Sequence, residues 1–392
     1  MARATFALTH AHHATARTMT WWWTVLALVP IVVSACRLSG DAPRSDTGLP
    51  PDTGDEFRRT AGGLVDSLRS EPFGPPGLIA RALKMMASDR YLIITDFKPP
   101  YVHVLDAVAG GHIRSFGLQG EGPGDFPGTP YGVAGSTRGD TVWFYDMASG
   151  RLSGVAFRDL SADSLRPIST TRSLNPGTGA TFSIDGPDKS GNLLGMTDTR
   201  RGVRAFTYSL PGARLTVRDT LALNDDRMDP FYLGNAYQGI LCYVPGRDVW
   251  VQFHRNVGWV PIIDSTGAIR GELPTPFRWR PHVQESTKEP GRMVFSPVLA
   301  PVRHAYLACA ATDRFVYALY LGHLTGEDGV RHYFDRLPPG EVHVFDMSFH
   351  LVKTFVLDHV TGVLAAPPGD SVLFTVSEDS TGPQARRTRL PY

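Results

Sequence analysis

The chain has 392 residues, 42% of them hydrophobic, enough to bury a substantial core. Its 39 Lys and Arg balance 38 Asp and Glu, so no bulk charge bias indicates a nucleic-acid partner, which demands concentrated positive charge. With 40 Gly and 31 Pro, the composition suits many short strands joined by tight turns.

In chain order, the first feature is a targeting segment. Arg3 and Arg17 supply positive charge, residues 21–33 are apolar apart from Thr24, and Val33-Ser34-Ala35-Cys36 follows. That order is the anatomy of a secretory signal peptide. Its ending resembles the bacterial lipobox, a branched apolar residue and two small ones before the Cys that receives the lipid. Cys36 is therefore the expected lipidation site and residues 1–36 the lipoprotein signal peptide. Cleavage near Ala35 to give a soluble exported protein is one alternative, and an uncleaved anchor is another. A membrane span wants ~20 apolar residues, whereas this stretch stops at Ala35 and contains Pro30. Residues 37–55 are rich in Gly, Pro, Asp, Ser and Thr and read as a flexible tether. Beyond Cys36 only Cys242 and Cys309 remain. An exported location permits a disulfide between them; two buried thiols on neighbouring strands are the other reading.

From Arg90 a repeat begins. RYLIITDFKPPYVHVLDAVAGGHIRSFG predicts strands at 91–96, 101–106 and 112–116, each β-branched or aromatic and bounded by turn residues. The same grammar returns at 141–157, 192–208, 248–264, 314–346 and 371–390. Equivalent positions are 50 (Asp96 to Asp146), 52 (Asp146 to Asp198) and 56 (Asp198 to His254) residues apart. Glu341-Val-His-Val-Phe-Asp346 nearly restates Tyr101-Val-His-Val-Leu-Asp106. Six copies at this period predict an all-β fold, a six-bladed β-propeller of four-stranded antiparallel blades, over residues 56–392. The recurrent aspartates, Asp96, Asp146, Asp198, Asp264 and Asp346, are expected to cap strands and close turns.

After the first copy comes GEGPGDF (120–126). Together with the repeats, this segment resembles the bacterial six-bladed β-propeller lipoproteins related to NHL and TolB-like propellers. The resemblance implies a fold and an exported, membrane-anchored location, and little about activity. Within the segment, Gly120, Gly122, Pro123, Gly124 and Phe126 are expected to shape the crossing from blade 1 to blade 2. A phosphate cradle is not expected there, because no helix N-terminus follows.

Inner strands are predicted near 78–86, 130–135, 180–185, 238–245, 303–310 and 360–366. The last copy supplies three strands before the chain ends, so residues 56–68 are expected to add the fourth, with a short helix over the rim as the alternative. Strand order puts the loops between the first and second and between the third and fourth strands on one face, and these are short. The other face is predicted to carry the long connections, 117–129, 171–179, 221–237, 274–302 and 322–340.

Those long loops hold the candidate ligand-binding residues Phe277, Arg278, Trp279, Arg280, His282, Tyr232, Tyr237, Arg331 and Tyr333. Aromatic side chains and arginine are typical interface anchors, suited to stacking a sugar or clamping an anion; packing of the insertions onto the blades is the competing role. His304, on an inner strand, joins the list. No nucleophile elbow, zincin helix or calcium loop occurs, and no cofactor is called for. Likeness to propeller lactonases and NHL-type lyases would make His304, Asp185 and His282 candidate channel ligands for a metal. The expectation is a binding or scaffold module, anchored to a bacterial membrane on its periplasmic or outer-surface side, for a peptide, glycan or partner protein. A lactonase- or lyase-like enzyme is the alternative.

Overall fold

In the computed structural model the repeats form a ring of six blades. The structure describes residues 65–122, 124–134, 140–161, 170–174, 181–199, 202–218, 230–273, 275, 281, 283–286, 290–295, 302–322, 324–325, 340–379 and 382–392. With strands lettered A to D from channel to rim, the inner strands are Ala82–Ala87, Pro130–Ala134, Thr181–Asp185, Gly239–Val244, Tyr306–Ala311 and Thr361–Ala365. Each meets its strand B antiparallel, as Met85 opposite Ile94 and Cys242 opposite Val251 illustrate. Asp96, Asp146 and His254 each end a strand B, so the spacing read from the sequence is the blade-to-blade step.

The second strands read as unbroken apolar runs because both of their faces are covered. In Tyr91–Asp96 every residue is buried. Alternation of side chains sends Leu92 and Ile94 into a cluster shared with Phe374 and Val376 of blade 6. Tyr91 and Ile93 go instead into a cluster shared with Val142 and Phe144 of blade 2. The same division recurs around the ring, with one apolar cluster in each of the gaps between blades. Large residues need small ones opposite. A Cβ on Gly195 of blade 3 would lie 2.1 Å from the Phe206 ring beside it, which is why a glycine sits in the middle of a strand there.

Four of the aspartates close turns as expected, and the Asp198 side chain lies outside what the structure describes. Asp146 accepts N–H bonds from Ala148 and Ser149, Asp264 from Thr266 and Ala268, and Asp346 from Ser348 and His350. Asp96 does more. Its carboxylate accepts the N–H groups of Ala80, Arg81 and Lys98 and faces His103 Nε2 at 3.4 Å. Burial would raise its pKa, but these donors prevail and hold it below the usual range.

Ring closure differs from the expectation. Blade 6 does borrow its fourth strand from the N-terminal side, but the strand is Ser70–Pro72, with Glu71 opposite Arg387. Residues Val65–Leu68, within the segment expected to do this, pair in parallel with Leu351–Leu357 and give blade 5 a fifth strand. The anchor is Phe73, buried against Phe374 at 5.0 Å between centroids, its N–H bonded to the Ala385 carbonyl. That contact assigns the three preceding residues to blade 6 and leaves the next ones for the neighbouring edge. A three-residue run ending in proline has no strand signature of its own, though an edge tolerates it.

Candidate functional site

All inner strands leave the same mouth of the channel, so the connections fall as the strand order requires. Sequence reasoning missed one exception. The link from strand C to strand D of blade 2 is long, 157–169, and its described part, the 3-10 turn Phe157–Ser161, leaves strand C on the face otherwise carrying short loops.

On the long-loop mouth, the helix Pro230–Ala236 carries Tyr232 and leads to Tyr237. Both tyrosines are half-buried and pack with Ala236, Val283 and Phe295, the last two from the 274–302 insertion. Tyr237 also meets the His254 ring edge-on at 5.8 Å, and His254 stacks on Trp259 at 5.3 Å. The 274–302 insertion contains a two-stranded piece, Gln284–Glu285 with Met293–Val294. Its end and the start of the 322–340 insertion join in another, Val302 opposite Thr325 and Arg303 opposite Leu324. The two longest insertions therefore rise from one shared sheet. Phe277, Arg278, Trp279, Arg280, His282, Arg331, Tyr333, Pro123 and Cys36 lie outside the described residues.

His254 is buried, and its Nδ1 bonds the Trp259 carbonyl at 2.5 Å. Burial drives the imidazole down to about 4, against that bond. An unfolded histidine titrates near ~6.5, so between pH 6.5 and 4 the unfolded chain binds the extra proton. The contribution is full above that window and is lost as pH falls through it, about 3 kcal/mol in all. Urea unfolding midpoints measured from pH 7 to 4 are expected to fall, and His254→Gln to flatten the profile.

The glycine-rich loop is packed as a crossing. Phe126 is fully buried against Phe116 and Phe144 in the gap between blades 1 and 2. Gly120 N–H donates to the Phe126 carbonyl, Phe126 N–H to Leu118, and Asp125 N–H to Gly122. Gly124 is left-handed, at φ 85°. The next regular element is the strand Pro130–Ala134.

The channel itself holds a cavity of about 160 Å³ lined by inner strands of all six blades, among them Met85, Tyr131, Ile184, Leu241, Cys309 and Val363. A smaller one of about 80 Å³ lies toward the short-loop mouth, bordered by Lys84, Asp185, Cys242, Tyr243 and Cys309. Lys84 Nζ lies 3.9 Å from Asp185 and 3.3 Å from the Ile184 carbonyl. Asp185 also accepts the N–H groups of Tyr243 and Gly186. Burial still pushes its pKa up, opposed first by Lys84. The sequence signal for this pair is a lysine in the otherwise apolar strand Ala82–Ala87.

The candidate metal ligands are not brought together. Asp185 ends strand A of blade 3, whereas buried His304 precedes strand A of blade 5. They belong to opposite mouths, roughly 15 Å apart at the rise of a strand. Among the described residues, no three His, Cys, Asp or Glu side chains form a group fit for a metal. Asp96, His103 and Ser115 do run in sequence, with His103 Nδ1 2.8 Å from Ser115 Oγ. Ser115 lies on the outer strand of blade 1, away from both channel cavities, and His112 also holds it at 2.9 Å. This relay ties strands B, C and D together.

No family model and no curated protein matches the sequence. Solved structures do resemble the chain. A member of the DUF4221 family from Bacteroides vulgatus is 11% identical, with a TM-score of 0.53 over 83% of this chain and 96% of that one. The WD40 repeats of RRP9 are 10% identical, with a TM-score of 0.50 over 82% and 99%. A streptogramin B lyase is 10% identical, with a TM-score of 0.48 over 82% and 97%. At such identities the likeness is one of fold. The chain is a six-bladed β-propeller. Among the described residues no helix is long and apolar enough to cross a membrane.

Proposed function

We propose that this protein is an exported β-propeller, tethered to a bacterial membrane through lipidated Cys36, that binds a peptide, glycan or partner protein at its long-loop mouth. The observation that carries the binding reading is the shared sheet at the base of the two longest insertions, Val302–Arg303 with Leu324–Thr325. It fixes both insertions to one rigid blade on the mouth where Tyr232 and Tyr237 also sit. Long loops on a rigid scaffold are where binding concentrates. The insertions carry Phe277, Arg278, Trp279 and Arg280 in one and Arg331 and Tyr333 in the other, side chains that anchor interfaces. Kinship with the NHL and TolB-like lipoproteins rests on the GEGPGDF segment and the repeat grammar.

Binders selected from displayed random peptides and an immobilised glycan array provide the test. The double change Trp279→Ala with Arg280→Ala is expected to weaken the selected ligand at least about tenfold with the unfolding midpoint unchanged. Undiminished binding would remove this mouth from consideration. For the anchor, Cys36→Ser is expected to shift the protein from the membrane to the soluble fraction.

A further inference from the structure

We infer that the short-loop mouth of the channel is a site for a soft monovalent cation, Cu(I) in class, held between the thiolates of Cys242 and Cys309. The inference is independent of the long-loop reading, since it concerns the opposite mouth.

Cys242 and Cys309 lie on the inner strands of consecutive blades, Gly239–Val244 and Tyr306–Ala311. Both thiols are free. Cys309 packs against the apolar cluster that contains Cys242, and its Sγ lies 3.5 Å from the Leu241 carbonyl. Both border the 80 Å³ cavity, and so do Met85 and Met86 of blade 1. Met85 packs toward blade 6 and Met86 toward blade 2, so the sulfur donors of this space are the two thiols. Thiolate and thioether donors select Cu(I) over hard cations.

Charge also agrees. Two thiolates with Cu(I) form a complex of net charge −1, and the Lys84 ammonium borders the same cavity. Asp185, the carboxylate facing that ammonium, is held by the N–H groups of Tyr243 and Gly186. Burial keeps the Cys242 thiol protonated far above its ordinary range, so an ion must displace the protons. The step is Cu(I) plus two thiols giving the bis-thiolate and two protons, with no change of oxidation state. Zn(II) prefers four N or S donors, and the described residues offer no third His, Cys, Asp or Glu. The connections flanking both strands at this mouth, 245–248 and 312–314, are short.

The test uses the full-length Cys36→Ser chain in detergent under anaerobic conditions, with Cu(I) supplied as its acetonitrile complex. Titration against a chromophoric Cu(I) chelator is expected to leave one equivalent on the protein, with thiolate-to-copper absorption in the ultraviolet. Either Cys242→Ser or Cys309→Ser should weaken retention at least about a hundredfold while its unfolding midpoint matches the parent. A readout on the parent chain covers variants that fail to fold: Cu(I), and not Zn(II), should protect Cys242 and Cys309 from alkylation as followed by mass spectrometry. Complete loss of copper to the chelator, equal protection by Zn(II), or a disulfide already joining the two cysteines in the isolated protein would each overturn the proposal.

Discussion

A chain beginning at residue 74 is expected to lose more stability than one beginning at residue 65 by at least the roughly 3–5 kcal/mol that burying a phenylalanine supplies. Among the described residues, the longer chain keeps each segment that closes the ring. It retains Phe73 against Phe374, Ser70–Pro72 on the last strand of the sequence, and Val65–Leu68 on blade 5. It also keeps Ser70, whose N–H and hydroxyl donate to Asp358 at 3.1 and 2.7 Å. The shorter chain leaves Gly382–Arg389 as an open edge, and unpaired edges invite aggregation. Urea denaturation of the two chains, with light scattering, checks both effects. Equal midpoints would mean that the blade 6 edge does not depend on the borrowed strand.

Phe126→Ala is the second large effect, about 3–5 kcal/mol by removal of a fully buried aromatic. Phe126 belongs to no blade, yet it fills the gap between blades 1 and 2 beside Phe116 and Phe144. Gly117 makes the space for it. Its φ of 84° suits glycine, and a Cβ there would lie 2.6 Å from the Phe126 ring. Gly117→Ala is therefore expected to destabilise by the same route, and adding it to Phe126→Ala should cost less than the sum, because the clash has gone. Chemical denaturation of the two single variants and the double variant measures this. A loss under about 1 kcal/mol for Phe126→Ala would mean the loop is not wedged between the blades.

The ring was legible because each blade repeats a strand B covered on both faces, and such a strand writes itself as a run like Tyr91–Thr95. The aspartates were legible for a related reason, since a turn that closes on a carboxylate needs one at a fixed offset. Ser70–Pro72 was not legible. Its strand character comes from Phe73 docking on Phe374, a contact between distant parts of the sequence. The thiol pair was half legible, as cysteines on neighbouring strands, while Lys84 came to border the same cavity only once blade 1 was set across the channel from blades 4 and 5. At the long-loop mouth, Tyr232 and Tyr237 pack against the Ala236 and Phe295 cluster and Tyr237 against His254, contacts that only the folded insertions bring together.

The borrowed strands also decide how the molecule bears a load. Any pull entering from the N-terminal side of Val65 reaches the four parallel pairs on blade 5 and the Lys353–Asp66 ion pair before it reaches Ser70 and Phe73. The fifth strand of blade 5 thus stands as a mechanical fuse ahead of the true clasp, able to peel away while the ring stays shut.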